Sequence, residues 1–182
     1  MDKKTVFTVD WEPWFCFKPY GEFWENHDPL VQEPTLYLLD LLKRHNIKAI
    51  FYCLGWLEDK EPAYLNLIRN EGHTIGYHSF IHQHDPGDVP PDRPYRGPRW
   101  RGQKRLYSGG FWFRTMPYGL VKREVLKTGT FFIHPYDVML NHPLCDNPIK
   151  NFERNLGLKT SRDKLEKLTR EIEWSNAENV TR

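Results

Sequence analysis

Thr5 to Val9 is an unbroken run of β-branched and apolar residues with Asp10 directly after it, a pattern that predicts a buried strand delivering a carboxylate to a sheet edge. From Thr35 to Asn46, Leu38, Leu39, Leu41 and Leu42 make a broad apolar face and Lys43 and Arg44 fall in the last turn, which predicts a helix. Lys48 to Leu54 then reads as a second buried strand, ended by Gly55. Pro62 opens a second helix, with Tyr64, Leu67, Ile68 and Glu71 at helical spacing and Gly72 where a left-handed cap belongs. A short strand, His73 to Tyr77, leads into His78. Strand, helix, strand, helix, strand in that order predicts an α/β domain with a parallel sheet or barrel, whose functional groups gather at the carboxyl ends of the strands.

The pattern stops between Gln83 and Ser108, where five prolines, several glycines and a run of arginines make a long structureless stretch of the kind that is functional or disordered. Order returns at Phe111 to Phe113. A helix is expected from Pro117 to Lys127, a strand from Thr130 to His134, and a last amphipathic helix from Ser161 with Leu165, Leu168 and Ile172 inward.

The 182 residues suit a single domain spanning 1–182. A net charge of +2 argues against nucleic acid as the main partner, and no apolar run is long enough to span a membrane. Cys16, Cys53 and Cys145 are odd in number and lack paired spacing, which fits a reducing, cytoplasmic setting.

Two segments carry candidate chemistry. His78 and His82 are four apart, so one helical turn would aim both imidazoles at one ion. Asp10 and Glu12, two apart on a strand, share a face, so one carboxylate can bind a metal while the other accepts a proton. The aromatic run that begins with Trp11 and Trp14 either lines a sugar-binding cleft or closes the barrel mouth as core. Arg99 and Trp100 belong to a basic, aromatic stretch from Arg93 to Arg105 that suits phosphate groups. Trp11, Trp14, Arg99 and Trp100 are the candidates for substrate contact.

Together these segments resemble the polysaccharide deacetylase family. Thr8-Val9-Asp10-Trp11-Glu12 is similar to its first motif, Gly72 to His82 to its second, and Tyr95-Arg96-Gly97-Pro98 to its third. Gly109 to Arg114 is similar to a glycine-rich strand of one branch, and Ile133-His134-Pro135 to the fifth motif. The resemblance implies a distorted (β/α) barrel in which Glu12, His78 and His82 hold a divalent metal, usually Zn2+. It also implies that Asp10 is the base, that Arg96 orients it, and that His134 protonates the leaving amine. The substrate would be an N-acetylated sugar of a polysaccharide or its precursor, phosphate-bearing in view of the basic stretch, as in O-antigen synthesis. Hydrolysis of a small cyclic amide or ureide, or metal binding without turnover, are the alternatives.

The chain also departs from that family. Too few residues separate His82 from Arg96, and Arg96 from Gly110, to hold a strand-to-strand crossover, which takes about 30 residues or more. The expected barrel is therefore shortened and open, with an exposed strand edge that favours a homo-oligomer. The acidic residues of the family's fourth motif are not found, which leaves His134 without an evident tuning partner.

Overall fold

The computed structural model describes residues 5–16, 27–80, 108–144 and 148–176. In chain order these form β1 (Thr5–Trp11), α1 (Gln32–Arg44), β2 (Ile50–Cys53), α2 (Gly55–Lys60), α3 (Pro62–Asn70), β3 (Thr74–Tyr77), α4 (Gly110–Thr115), α5 (Tyr118–Thr128), β4 (Thr130–Ile133), α6 (Pro148–Asn155), α7 (Ser161–Glu171) and β5 (Trp174–Ser175).

Every residue of β1 is buried, which is what a strand covered on both faces requires. It lies at the centre of an all-parallel sheet of order β3-β2-β1-β4 that does not close into a barrel among the described residues. β5 pairs with the start of β1, Thr5 opposite Trp174 and Val6 opposite Ser175. The Thr5 N–H donates to Glu173 and the Val6 N–H to Gly129. Successive amides of a strand point to opposite sides, so β5 lies on the flank of β1 away from β4, below the point where β2 begins to pair at Thr8.

Phe7, Phe131, Phe113 and Trp174 join β1, β4, α4 and β5 in one aromatic cluster, with Phe7 to Phe131 at 5.1 Å and Phe7 to Trp174 at 5.2 Å between ring centres. It belongs to a core that runs from Phe7 to Ile172 and includes Leu38, Leu41, Leu42, Leu165 and Leu168. No helix of the described residues is long and apolar enough to cross a membrane.

Three elements differ from the sequence expectation. α1 starts at Gln32 rather than Thr35, because Pro34 falls in the first turn, where the missing N–H costs no intrahelical bond. α2 follows β2 at once, and the Gly55 and Trp56 amides donate to the carbonyls of Ser79 and Phe80 at 3.0 and 3.1 Å. The glycine-rich segment expected as a strand is instead the start of a helix. Gly109 keeps a single parallel bridge to Phe132, and Gly110 at φ 53° turns the chain into α4. A Cβ on Gly109 would lie 1.9 Å from the Phe132 carbonyl oxygen, so only glycine permits this approach.

Candidate active site at the carboxyl edge of the sheet

Chain order places β2 and β3 on one flank of β1 and β4 on the other, so the strand order reverses at β1. Such a reversal opens a crevice at the carboxyl ends of the strands, the usual place for a ligand site in an open parallel sheet. Asp10 and Glu12 come from the end of β1, His78 from the end of β3 and His134 from the end of β4.

These four side chains converge. Glu12 Oε2 stands 3.2 Å from His78 Nε2, and Glu12 Oε1 stands 3.5 Å from His134 Nε2. Asp10 Oδ2 lies 4.0 Å from His78 Nε2 and 3.9 Å from His134 Nε2. All four are buried, Glu12 completely. Asp10 and Glu12 share a face as their spacing requires, with Glu12 the closer to His78. Tyr136 adds a hydroxyl that donates to Glu12 Oε1 at 3.1 Å.

His134 is fixed from behind. Asp137 Oδ2 lies 2.7 Å from His134 Nδ1 and accepts the His134 backbone N–H at 3.0 Å. Pro135 opens a short 3-10 turn, Pro135–Val138, which brings Asp137 back over the histidine in a reciprocal cap. Tyr136 stacks on the same imidazole, ring centres 4.5 Å apart and planes within 8°. With Nδ1 engaged, Nε2 is the nitrogen presented to Glu12 and Asp10.

Burial opposes charge on His134, yet the negative charge and hydrogen bond of Asp137, with Glu12 and Asp10 behind them, outweigh it and raise its pKa to about 9. His78 is raised as well, against burial, by its bond to Glu12 and the charges of Glu12 and Asp10. Asp137 is pulled down despite its burial by His134 and by Arg114, whose Nε is 2.8 Å from Asp137 Oδ1. Asp10 and Glu12 favour charge on both imidazoles, and opposite charges in contact offset the cost of burying the cluster.

A zinc ion with ligands about 2.0 Å away in a tetrahedron separates neighbouring donors by about 3.3 Å. Glu12 Oε2 and His78 Nε2, 3.2 Å apart, fit two such corners, a separation that also serves a charged hydrogen bond in the metal-free protein. Among the described residues no group of three or more His, Cys, Asp or Glu side chains is arranged to hold a metal ion. The third expected donor, His82, lies outside the described residues, as do Arg96, Arg99 and Trp100. The helical turn expected to join His78 to His82 does not form at its start. Ser79 has φ 73°, a left-handed conformation that a continuing helix excludes.

The indoles proposed for substrate contact lie in the core instead. Trp11 is 0% exposed and donates from Nε1 to Thr35 Oγ1 at 2.9 Å, while Trp14 is 7% exposed and donates to the Asp28 carbonyl at 3.0 Å. Both indoles belong to the buried core, and the Trp14 ring is in contact with Phe15 and Arg154. Asp137, Arg114 and Tyr136 were missed by sequence reasoning. The signal for Asp137 was available in His134-Pro135-Tyr136-Asp137, a capping-box spacing with proline at its first position.

The chain matches the polysaccharide deacetylase family over residues 24–130 and a domain of unknown function (DUF3473) over residues 89–182. It is 48% identical over 50 residues to the peptidoglycan-N-acetylglucosamine deacetylase of Bacillus cereus, covering 28% of this chain and 18% of that protein. It is 32% identical over 91 residues to the peptidoglycan-N-acetylglucosamine deacetylase PgdA of Listeria monocytogenes, covering 48% of this chain and 19% of that protein. The chain thus spans less than a fifth of the length of these curated relatives. A crystal structure of the Bc1960 peptidoglycan N-acetylglucosamine deacetylase aligns over 98% of this chain and 87% of that one, with a TM-score of 0.43 and 16% identity. With more than half of its length matched by the family, this chain belongs to the polysaccharide deacetylases.

Proposed function

We propose that this protein is a metal-dependent N-deacetylase that hydrolyses the acetamide of an N-acetylated sugar in a polysaccharide or its precursor. The observation that carries the reading is the convergence of Asp10, Glu12, His78 and His134 from three strand ends onto one point. Amide hydrolysis needs a base, a polarised carbonyl and an acid for the poor nitrogen leaving group, and this set can provide them.

In this reading Glu12 and His78, with His82, would hold a Zn2+ ion, which would supply Lewis acidity toward the acetyl carbonyl and a water of lowered pKa. Asp10 accepts the proton of that water, held in orientation by Arg96. His134 donates the proton on Nε2 to the sugar nitrogen as its bond to the acetyl carbon breaks, so that amine and acetate leave. Its raised pKa keeps it protonated at neutral pH, as an acid must be. A cation on Glu12 offsets part of that rise, while Asp137 retains its share.

The basic stretch from Arg93 to Arg105 is the reason to propose a phosphate-bearing precursor, as in O-antigen synthesis, with Arg99 and Trp100 as its contacts. A sheet that stays open among the described residues supports a homo-oligomer, and the free, buried thiols of Cys16 and Cys53 suit the cytoplasm. The test is acetate release by the zinc-loaded protein from an N-acetylated chito-oligosaccharide, a peptidoglycan fragment and a nucleotide-linked N-acetyl sugar. Turnover on at least one, reduced on the order of 100-fold or more in Asp10→Asn, is expected. Absence of acetate release from all three at saturating zinc would refute the reading.

A further inference from the structure

Behind Asp137 lies a second layer that the family resemblance does not supply, all of it within the residues that match the domain of unknown function. Arg114, on α4, is 6% exposed, and its guanidinium is shared between two parties. Nε faces Asp137 Oδ1 at 2.8 Å. Nη1 donates to the backbone carbonyls of Arg154 and Leu156, the latter at 3.0 Å. Those carbonyls close the end of α6, where orphan acceptors and the negative end of the helix dipole favour a cation.

The same region holds α4 itself. Lys164 Nζ, on α7, donates to the carbonyls of Phe113, Arg114 and Met116 at 2.9, 2.9 and 3.0 Å, satisfying the orphan acceptors at the end of that helix. Gly157, at φ 77°, lets the turn after α6 touch α4, since a Cβ there would meet the Arg114 carbonyl oxygen at 2.4 Å. Ser161 at the start of α7 donates its hydroxyl to the Asp137 carbonyl.

We propose that Arg114 is a positioning residue for His134, acting through Asp137, and that the segment from α6 to α7 is the clamp that holds Arg114 in place. Oδ2 of Asp137 is bonded to His134, and Oδ1 is paired in charge with Arg114 at 2.8 Å without hydrogen-bond alignment, so the carboxylate cannot rotate without giving up a charged contact. Removing the cation frees one oxygen and leaves a buried carboxylate with less compensation, and the imidazole loses its fixed reference. Displacement of a reacting group by about 1 Å costs on the order of 100-fold in rate.

The kinetic arm of the test rests on the deacetylase reading, and the spectroscopic arm does not. The zinc-loaded full chain is compared with Arg114→Met and Arg114→Lys. Expected for Arg114→Met is a fall in kcat of about 10–100-fold on an N-acetylated chito-oligosaccharide with KM within about 2-fold, and unchanged zinc stoichiometry. The low-field Nδ1–H proton signal of His134, assigned by its absence in His134→Gln, should disappear, and Arg114→Lys should recover part of both signal and rate. If the unaltered protein does not turn over glycans, the proton signal alone decides. Retention of that signal and of kcat in a folded Arg114→Met protein would overturn the proposal, and so would failure of both variants to fold, which would make Arg114 a folding residue only.

Discussion

Asp137 Oδ2 contacts His134 twice, at the ring Nδ1 and at the backbone nitrogen, 2.7 and 3.0 Å away. One carboxylate therefore sets both the tautomer and the rotamer of the imidazole, the role that a carboxylate plays behind histidine in many hydrolases. Asp137→Asn keeps the shape and removes the charge. The expected result is a fall in kcat of about 10–100-fold and an alkaline limb of the pH–rate profile displaced to lower pH. The sign follows from the acid role: His134 acts while protonated, and losing the charge that raises its pKa makes it lose its proton earlier as pH rises. A pH–rate series on both proteins checks it.

Glu12 and Asp10 should separate in a metal assay. Glu12 is the carboxylate nearer His78, 3.2 Å against 4.0 Å, and is the proposed ligand. Titration calorimetry with Zn2+ is expected to lose stoichiometric binding in Glu12→Gln and His78→Ala and to retain it in Asp10→Asn. Equal loss in all three would reassign Asp10 as a ligand.

Replacing Trp11 tests its place in the core. Trp11→Phe removes the Nε1 bond to Thr35 Oγ1 and leaves a buried hydroxyl short of a partner, at a cost of about 1–3 kcal/mol. Urea unfolding should show that loss while KM for glycan stays the same, because the indole is buried and bonded to Thr35. A KM increase at unchanged stability would return Trp11 to the sugar-binding cleft.

Acid sensitivity should come partly from His73. Its Nδ1 accepts the Ala49 N–H at 3.2 Å, and burial, helped by Lys48, lowers its pKa to about 4. The unfolded chain takes up this proton near pH 6.5 and the folded protein only near 4, so the stability is present above 6.5 and lost as pH falls through that window. The loss is up to about 2 kcal/mol between pH 6.5 and 5. Asn at position 73 can keep an acceptor without a proton site, so urea midpoints of His73→Asn should vary less with pH. Parallel curves for the two proteins would assign the acid sensitivity to other groups.

Much of the fold was legible because periodicity reports burial directly. Thr5 to Val9 read as a strand buried on both faces, Leu38, Leu39, Leu41 and Leu42 of α1 as a face turned to the core, and Pro62 and Gly72 bracket α3 where backbone chemistry places them. The pairing of Asp10 with Glu12 was also readable, since alternate residues of a strand share a face whatever lies around them. Tertiary structure decided the rest. Gly109 and Gly110 read as strand, but contact with Phe132 and a positive φ make them the entrance to a helix. Trp11 could have faced sugar or core, and the packing of α1, whose Thr35 accepts the indole N–H, puts it inside. Arg114, Asp137 and the carbonyls of Arg154 and Leu156 are far apart in sequence and carry no common periodicity. Only the folding of α6 and α7 against α4 brings them together, because an ion pair across elements depends on where those elements pack and leaves no pattern within any one of them.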